Sequence, residues 1–322
     1  GCKIRDLLER KAAEGIEVRL LYDDVGSWKA KRDFFEHMQQ SGIIVQPFLK
    51  VAFKLLTSRV NYRNHRKIVV IDGKIGYVGG MNVADRYVDG VSSGVWRDSH
   101  IKMEGKAVAA LQTSFLIDWY SSRKEFLSAD TYYPMLDQMG DNLLQIATSG
   151  PVGPFKNIHL GMLQAISNAR ECIYIQTPYF VPTDSLLLNM QMAAMRGVDV
   201  RLMLPRKSDT TFVHIASMSF LAEVLNAKVQ VYFYDAGFLH SKLMIIDNAL
   251  TITGSANMDV RSFEHNFEID AFIYNEETCA KAKEIFYRDM EESSLLSLEE
   301  WNARSRIAKF KESIMRLFSP LL

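Results

Sequence analysis

Two histidines in this chain keep the same company. His65 is followed by Lys67 and Asp72 and then by Gly79-Gly80-Met81-Asn82, while His240 is followed by Lys242 and Asp247 and then by Gly254-Ser255-Ala256-Asn257. The two sets are offset by 175 residues throughout (65 to 240, 72 to 247, 82 to 257). Imidazole can attack or carry a proton near neutral pH. In a strand, side chains at i and i+2 share a face, so each histidine projects with its lysine. Asp72 and Asp247 have the opposite parity and fall where the apolar run must turn, which assigns them to the turn scaffold. The following glycines let backbone approach closely, and Asn82 and Asn257 can offer amide donors beside the lysines. Two ammonium groups and two amides converging would suit phosphoryl oxygens. If each residue type occurs about once in twenty positions, one histidine meets the lysine and aspartate requirement roughly once in four hundred cases. Two matching sets are therefore a duplication.

The elements that must position these residues repeat as well. Arg86 and Arg261 share the same offset, and Gly15-Ile16-Glu17-Val18-Arg19-Leu20 matches Gly197-Val198-Asp199-Val200-Arg201-Leu202 at an offset of 182 (15 to 197). Each half alternates amphipathic helices with β-branched strands, such as Val18 to Tyr22 and Val198 to Leu204, which predicts an α/β fold. Lys67 to Ile71 leads into Asp72-Gly73, a hairpin signal, and its counterpart turns at Asp247-Asn248. Ser121 to Asp141 is polar and irregular and reads as a linker. The division falls near residue 140, giving modules over 1–140 and 141–322. The second module has a strand over Cys172 to Gln176 ahead of its helix, whereas the first opens directly in the matching helix, with Ile4, Leu7, Leu8 and Ala12 on one face. This predicts a fragment of a longer chain, whose preceding segment supplies the first strand and membrane helices.

Composition narrows the functional classes. A chain of 322 residues with 48% hydrophobic and 24% charged residues has the material for two packed modules and lies far from the disordered class. Thirty-eight basic residues balance 38 acidic ones, so no global field draws the chain to nucleic acid, and any anion site must be local. Cys2, Cys172 and Cys279 are widely spaced and form no C-x-x-C pair, which excludes a disulfide framework and a zinc ribbon and fits a reducing compartment. His37, His100, His159, His214 and His265 show no metal-ligand spacing, so no metal is expected. Asp23-Asp24 reads as a solvated loop pair. Tyr179 follows a strand at the end where α/β clefts open, a place for substrate contact.

H-x-K-x4-D followed by G-[GS]-x-N, present twice, resembles the phospholipase D superfamily. Asn61 to Lys67, Trp96-Arg97-Asp98, Thr177 to Pro182, Arg261-Ser262-Phe263 with Asn266-Phe267-Glu268, and terminal Ser319-Pro320-Leu321-Leu322 are similar to its bacterial cardiolipin synthase branch, across almost the whole chain. The resemblance implies two duplicated α/β/α modules, each with a mixed, mainly parallel sheet, related by a pseudo-twofold axis. It implies cofactor-free phosphatidyl transfer from one phosphatidylglycerol to another, giving cardiolipin and glycerol through a phosphohistidine. His65 would attack, His240 would carry the proton, and Lys67, Lys242, Asn82 and Asn257 would hold the phosphoryl oxygens. Asp98 and Glu268, each downstream of its histidine in a matching strand, are the candidates to fix the imidazole tautomers. The implied partners are phosphatidylglycerol and other anionic phospholipids at a bacterial cell membrane, with no nucleic acid. Water as acceptor would make the same site a phosphodiester hydrolase, and another alcohol would make a different phosphatidyltransferase.

Two basic amphipathic stretches suit either packing on the core or contact with anionic lipid. One runs from Pro47 to Asn64, with Phe48, Leu49, Val51, Phe53, Leu55 and Leu56 among Lys50, Lys54, Arg59 and Arg63. The other spans Trp301 to Phe318, with Ile307, Phe310, Ile314 and Leu317 at helical spacing among Arg304, Arg306, Lys309 and Arg316.

Overall fold

The computed structural model describes residues 1–50, 61–92 and 94–319. The first half runs α1 (Cys2–Ala13), β1 (Arg19–Asp23), α2 (Arg32–Gln40), β2 (Ile44–Phe48), β3 (Arg63–Asn64), β4 (Ile68–Ile71), β5 (Ile75–Gly79), α3 (Arg86–Asp89), β6 (Val95–Arg97), β7 (His100–Glu104) and α4 (Val108–Arg123). The second begins with β8 (Leu143–Ser149), α5 (Asn157–Asn168), β9 (Cys172–Gln176), β10 (Phe180–Val181), α6 (Asp184–Met195), β11 (Asp199–Pro205), α7 (Thr211–Asn226) and β12 (Gln230–Tyr234). It continues through β13 (Gly237–Leu239), β14 (Leu243–Ile246), β15 (Leu250–Gly254), β16 (Met258–Asp259), α8 (Val260–Glu264) and β17 (Asn266–Tyr274). It ends with α9 (Glu276–Glu291), β18 (Ser293–Leu295), α10 (Leu298–Ala303) and α11 (Arg306–Phe318).

The second half carries the large mixed sheet, in the order β18-β12-β11-β9-β14-β15-β17, with β8 and β3 also on β17. Its parallel part is β12-β11-β9, and β14, β15, β17 and β8 continue it antiparallel. Every residue of β9 is buried, as expected for a strand covered on both faces. Ile173 and Ile175 point into the core under α5, α6 and α7, and Cys172 and Tyr174 into the core beside Phe286 of α9. In α5 the buried positions Ile158, Met162, Ala165 and Ile166 follow the helical period that lets one face join that core.

The first half follows the same plan, but β8, α5, β9 and β10 of the second have no counterpart among its described residues. Its β1-β2 pair is parallel and packs through Val45 with Met38 and Ile43 against α1 and α2. A separate antiparallel sheet, β4-β5-β7, packs Val78 and Met103 against Val108 and Leu111 of α4. By the repeat, β1 corresponds to β11 and β4 to β14, and β9 stands between the latter two. Among the described residues no strand stands between β1 and β4. Val69 and Ile71 of β4 are exposed, whereas their counterparts Met244 and Ile246 of β14 are buried in the core under α5, α6 and α7.

Two short strand pairs join the halves. Residues Arg63 and Asn64 of β3 pair in parallel with Asn266 and Phe267 of β17, and β13 pairs in parallel with β6, setting Leu239 opposite Arg97. His65 and His240 are the next residues along β3 and β13, so both emerge at the seam.

The two basic stretches fare differently. Phe48, expected to face either core or lipid, is buried and meets Phe267 edge-on at 5.0 Å, because it ends β2 beneath the seam. Val51, Phe53, Lys54, Leu55, Leu56 and Arg59 lie outside the described residues. The stretch from Trp301 to Phe318 is two helices rather than one. Ser297 caps α10 in a capping box with Glu300, and Ser305 caps α11 through the Ala308 N–H. Trp301 is buried, while Ile307, Phe310, Ile314 and Leu317 are all exposed. No helix among the described residues is long and apolar enough to cross a membrane.

Candidate active site at the seam

Each histidine is held from the opposite half. The His65 N–H donates to Phe267 O at 2.9 Å, and the His240 N–H donates to Arg97 O at 2.7 Å. The residue after each acceptor is the carboxylate. Glu268 therefore receives His65 Nδ1–H at 2.9 Å on Oε1 and 3.0 Å on Oε2, and Asp98 receives His240 Nδ1–H at 2.6 Å on Oδ2. The sequence reading set each carboxylate downstream of its own histidine; the pairs are crossed, because β3 and β13 pair with strands of the other half. Glu268 lies within β17, whereas Asp98 sits in the step between β6 and β7. With Nδ1 committed, the Nε2 of each ring has no hydrogen-bond partner among the described residues and is left for chemistry.

The lysines close the site from behind. Lys67 Nζ donates to His65 O at 2.5 Å and Lys242 Nζ to His240 O at 2.6 Å. Burial lowers the Lys67 ammonium to about 7; Glu268 opposes this and Lys242 adds to it. Lys242 is lowered for the same first reason, with Asp98 opposing. Burial also lowers His65, against the pull of Glu268, and takes His240 well below its ordinary value, helped by Lys242, Lys67 and His65. The two motifs thus feel one another and form a single site. Burial pushes Glu268 up, but His65 and Lys67 outweigh it and hold the carboxylate below its ordinary range. Asp98 is raised by burial against the attraction of Lys242.

Equivalent positions are finished differently. A Cβ on Gly80 would come within 2.1 Å of Asp98 Oδ1, so only glycine admits the shorter acid there. The corresponding Ser255 instead donates its hydroxyl to Glu268 Oε2 at 2.5 Å. Asn257 is buried and donates to Asp259 at 3.1 Å, while Asn82 is exposed with its amide 3.4 Å from the Tyr87 hydroxyl. Asp72 and Asp247 both occupy turns at φ 53°. The Asp247 carboxylate also accepts the N–H groups of Arg170, Glu171 and Cys172 and so ties the hairpin to the start of β9. Tyr179 donates its hydroxyl to Asp209 at 2.6 Å.

Sequence reasoning missed several supports. Asp23 is not a solvated loop residue: it accepts Arg63 Nε at 2.8 Å and the Asn64 N–H at 2.7 Å, anchoring the strand that delivers His65. Arg66 is paired with Asp118 at 2.6 Å, behind the same strand. Buried Asp270 accepts the Ser255 and Ala256 N–H groups, and burial raises it to about 7. Its spacing of two from Glu268 in one strand was the available signal. His240 is walled by Trp96 at 5.2 Å, Phe238 at 5.9 Å and Tyr87 at 6.2 Å between ring centroids.

The family model described as cardiolipin synthase, PLD-like domain, matches residues 2–119 and 162–290. Cardiolipin synthase 2 of Staphylococcus epidermidis is 46% identical over 325 residues, which cover 100% of this chain and 67% of that protein. Cardiolipin synthase of Listeria monocytogenes is 41% identical over the same length and the same shares. Phosphatidylserine synthase of Haemophilus influenzae, solved by crystallography, shares the fold with a TM-score of 0.72 over 99% of this chain and 86% of that one, at 13% identity. Duplicated motifs meeting across one seam, and similarity to these synthases from end to end, place the chain in the cardiolipin synthase family of phospholipase D-like proteins.

Proposed function

We propose that this chain catalyses phosphatidyl transfer between two phosphatidylglycerols, giving cardiolipin and glycerol, with two modules divided near residue 140 that contribute one histidine each. The observation that carries this reading is the crossed pairing of His65 with Glu268 and His240 with Asp98, which leaves two Nε2 atoms unengaged beside two lysines. In the first step the His65 Nε2 lone pair forms a bond to phosphorus, the bond from phosphorus to the glycerol oxygen breaks, and that oxygen takes the proton of His240. In the second, the hydroxyl of another phosphatidylglycerol gives its proton to His240, its oxygen bonds to phosphorus, and the bond to His65 breaks. Both imidazoles return to their starting state.

Burial and the lysines press both rings toward neutrality in the empty site. That suits the attacking ring, and the arriving phosphodiester supplies the negative charge that supports the proton on His240. Lys67 and Lys242 hold the phosphoryl oxygens, with Asn82 and Asn257 beside them, and supply the positive charge the transferred group needs without a metal. The substrate comes from an anionic membrane surface. The exposed stripe of α11, flanked by Arg306, Lys309 and Lys311, is the described surface best suited to rest in its headgroups.

Labelled phosphatidylglycerol in detergent micelles tests the reaction. Cardiolipin with free glycerol is expected. Phosphatidic acid alone would mean hydrolysis, and cleavage of nucleic acid without lipid turnover would defeat both readings.

A further inference from the structure

The arginines at the seam are nearly all spoken for. Arg63 is bonded to Asp23, Arg66 to Asp118, and Arg97 to Asp289 through two contacts at 3.0 Å. Arg261 is the exception. It stands on α8, two residues beyond buried Asp259 and seven before Glu268, the carboxylate that holds His65. Its side chain is half-buried and has no hydrogen bond, ion pair or ring contact with any described residue. Burial depresses its guanidinium and the like charge of Arg63 adds to this, while Asp259, Asp23 and Glu268 pull the other way at longer range. A guanidinium drawn out of water without a bonded partner among the described residues is unfavourable.

Its counterpart in the repeat, Arg86, is exposed and lies over the Trp96 ring at 4.6 Å. That cation has a partner, and Arg261 has none among the described residues. The transferred phosphodiester is already matched by Lys67 and Lys242. The acceptor lipid brings a second phosphodiester into the same cleft, and it would be repelled by the first unless a further cation received it. Arginine suits that task because its planar fork can meet two phosphate oxygens at once.

We propose that Arg261 receives the phosphodiester of the acceptor lipid, so that an anionic alcohol reaches the phosphatidyl-histidine in preference to water or free glycerol. This rests on the transfer reading above and adds to it a determinant of acceptor choice. The test supplies phosphatidylglycerol and labelled glycerol in the same micelles. Cardiolipin then reports an anionic acceptor, and label entering phosphatidylglycerol reports a neutral one at the same phosphorus. In Arg261→Gln the ratio of cardiolipin to exchanged glycerol should fall about tenfold or more, with a higher KM for the acceptor lipid, and Arg261→Lys should recover part of it. A parallel fall in both products would place Arg261 in donor binding or folding, and an unchanged ratio would remove it from acceptor recognition; either overturns the proposal. Wild-type protein that makes phosphatidic acid alone would instead overturn the transfer reading itself.

Discussion

The two halves carry one motif in two settings. In the second, β9 fills the sheet between β11 and β14, and β10 pairs with β16 over the residues that follow Asn257. His240, Lys242 and Asn257 are all buried there. In the first, no described strand covers the matching positions, Asn82, Val83 and Val88 are exposed, and the His65 side chain keeps 26% of its accessibility against 8% for His240. Residue identity sets what chemistry is available, and in the proposed mechanism cover would decide which half performs which part. An accessible imidazole suits attack on phosphorus, and an enclosed one, fenced from water by three rings, suits a proton that must not be lost between steps.

Exchanging the histidines for alanine tests that division most severely. Either His65→Ala or His240→Ala should lower turnover by about four orders of magnitude, because each removes a group the two-step route requires. The variants differ in what accumulates. His240→Ala should collect a phosphatidyl adduct on His65, whereas His65→Ala should collect none. Mass spectrometry that finds the adduct on His240 in His65→Ala, and never on His65, would reverse the assignment.

The turn aspartates give the next largest contrast, in stability. Asp72 and Asp247 share φ 53°, where asparagine is tolerated equally well, so the backbone cost of Asp→Asn cancels between them. Only Asp247 accepts three backbone N–H groups. Asp247→Asn should destabilise by about 2 kcal/mol, since charged acceptors weaken to neutral ones, and exposed Asp72→Asn by less than about 0.5 kcal/mol. Denaturant melts of the two proteins compare them directly, and equal losses would mean that the tie to β9 contributes little.

A smaller effect follows from Lys67. Lowered to about 7, its ammonium is charged below that pH and neutral above it in the empty site. Phosphodiester binding should therefore weaken as pH rises, with KM increasing about tenfold from pH 7 to 8.5. The bound anion favours the charged lysine, so the alkaline limb of kcat should lie at higher pH than that of kcat/KM. Coincident limbs, or a KM indifferent to pH over this range, would separate Lys67 from substrate binding.

Much of this was legible because it was local. The histidine and lysine share a strand face by parity, and the hairpins announce themselves at Asp72-Gly73 and Asp247-Asn248. The crossing of the pairs was not, since β3 and β6 span two and three residues, too few to display a period or to say which strand they meet. Asp23 escaped for a related reason: its partner Arg63 is 40 residues away, and a carboxylate pair after a strand looks the same whether solvated or anchoring. The break between α10 and α11 could have been read, because Ser297 with Glu300 and then Ser305 are helix starts. The amphipathic spacing across Trp301 to Phe318 hid it.

The wall around His240 offers the finest test of the comparison. Among the described residues no ring packs on His65, whereas Tyr87 stands at 6.2 Å from the His240 ring and reaches Gly80 O, His240 Nδ1 and Asn82 with its hydroxyl only at 3.4 Å each. Bonds that long contribute little, so Tyr87→Phe should change turnover by no more than about threefold. The ring matters through burial. Desolvation is the first cause of the low His240 basicity, and Tyr87→Ala admits water, so the imidazole should hold its proton to higher pH. With chemistry limiting, the alkaline limb of kcat should then move up by about half a pH unit in Tyr87→Ala and stay in place in Tyr87→Phe. Equal shifts in both variants would assign the effect to the hydroxyl, and no shift in either would mean that the rings enclose His240 without setting its protonation.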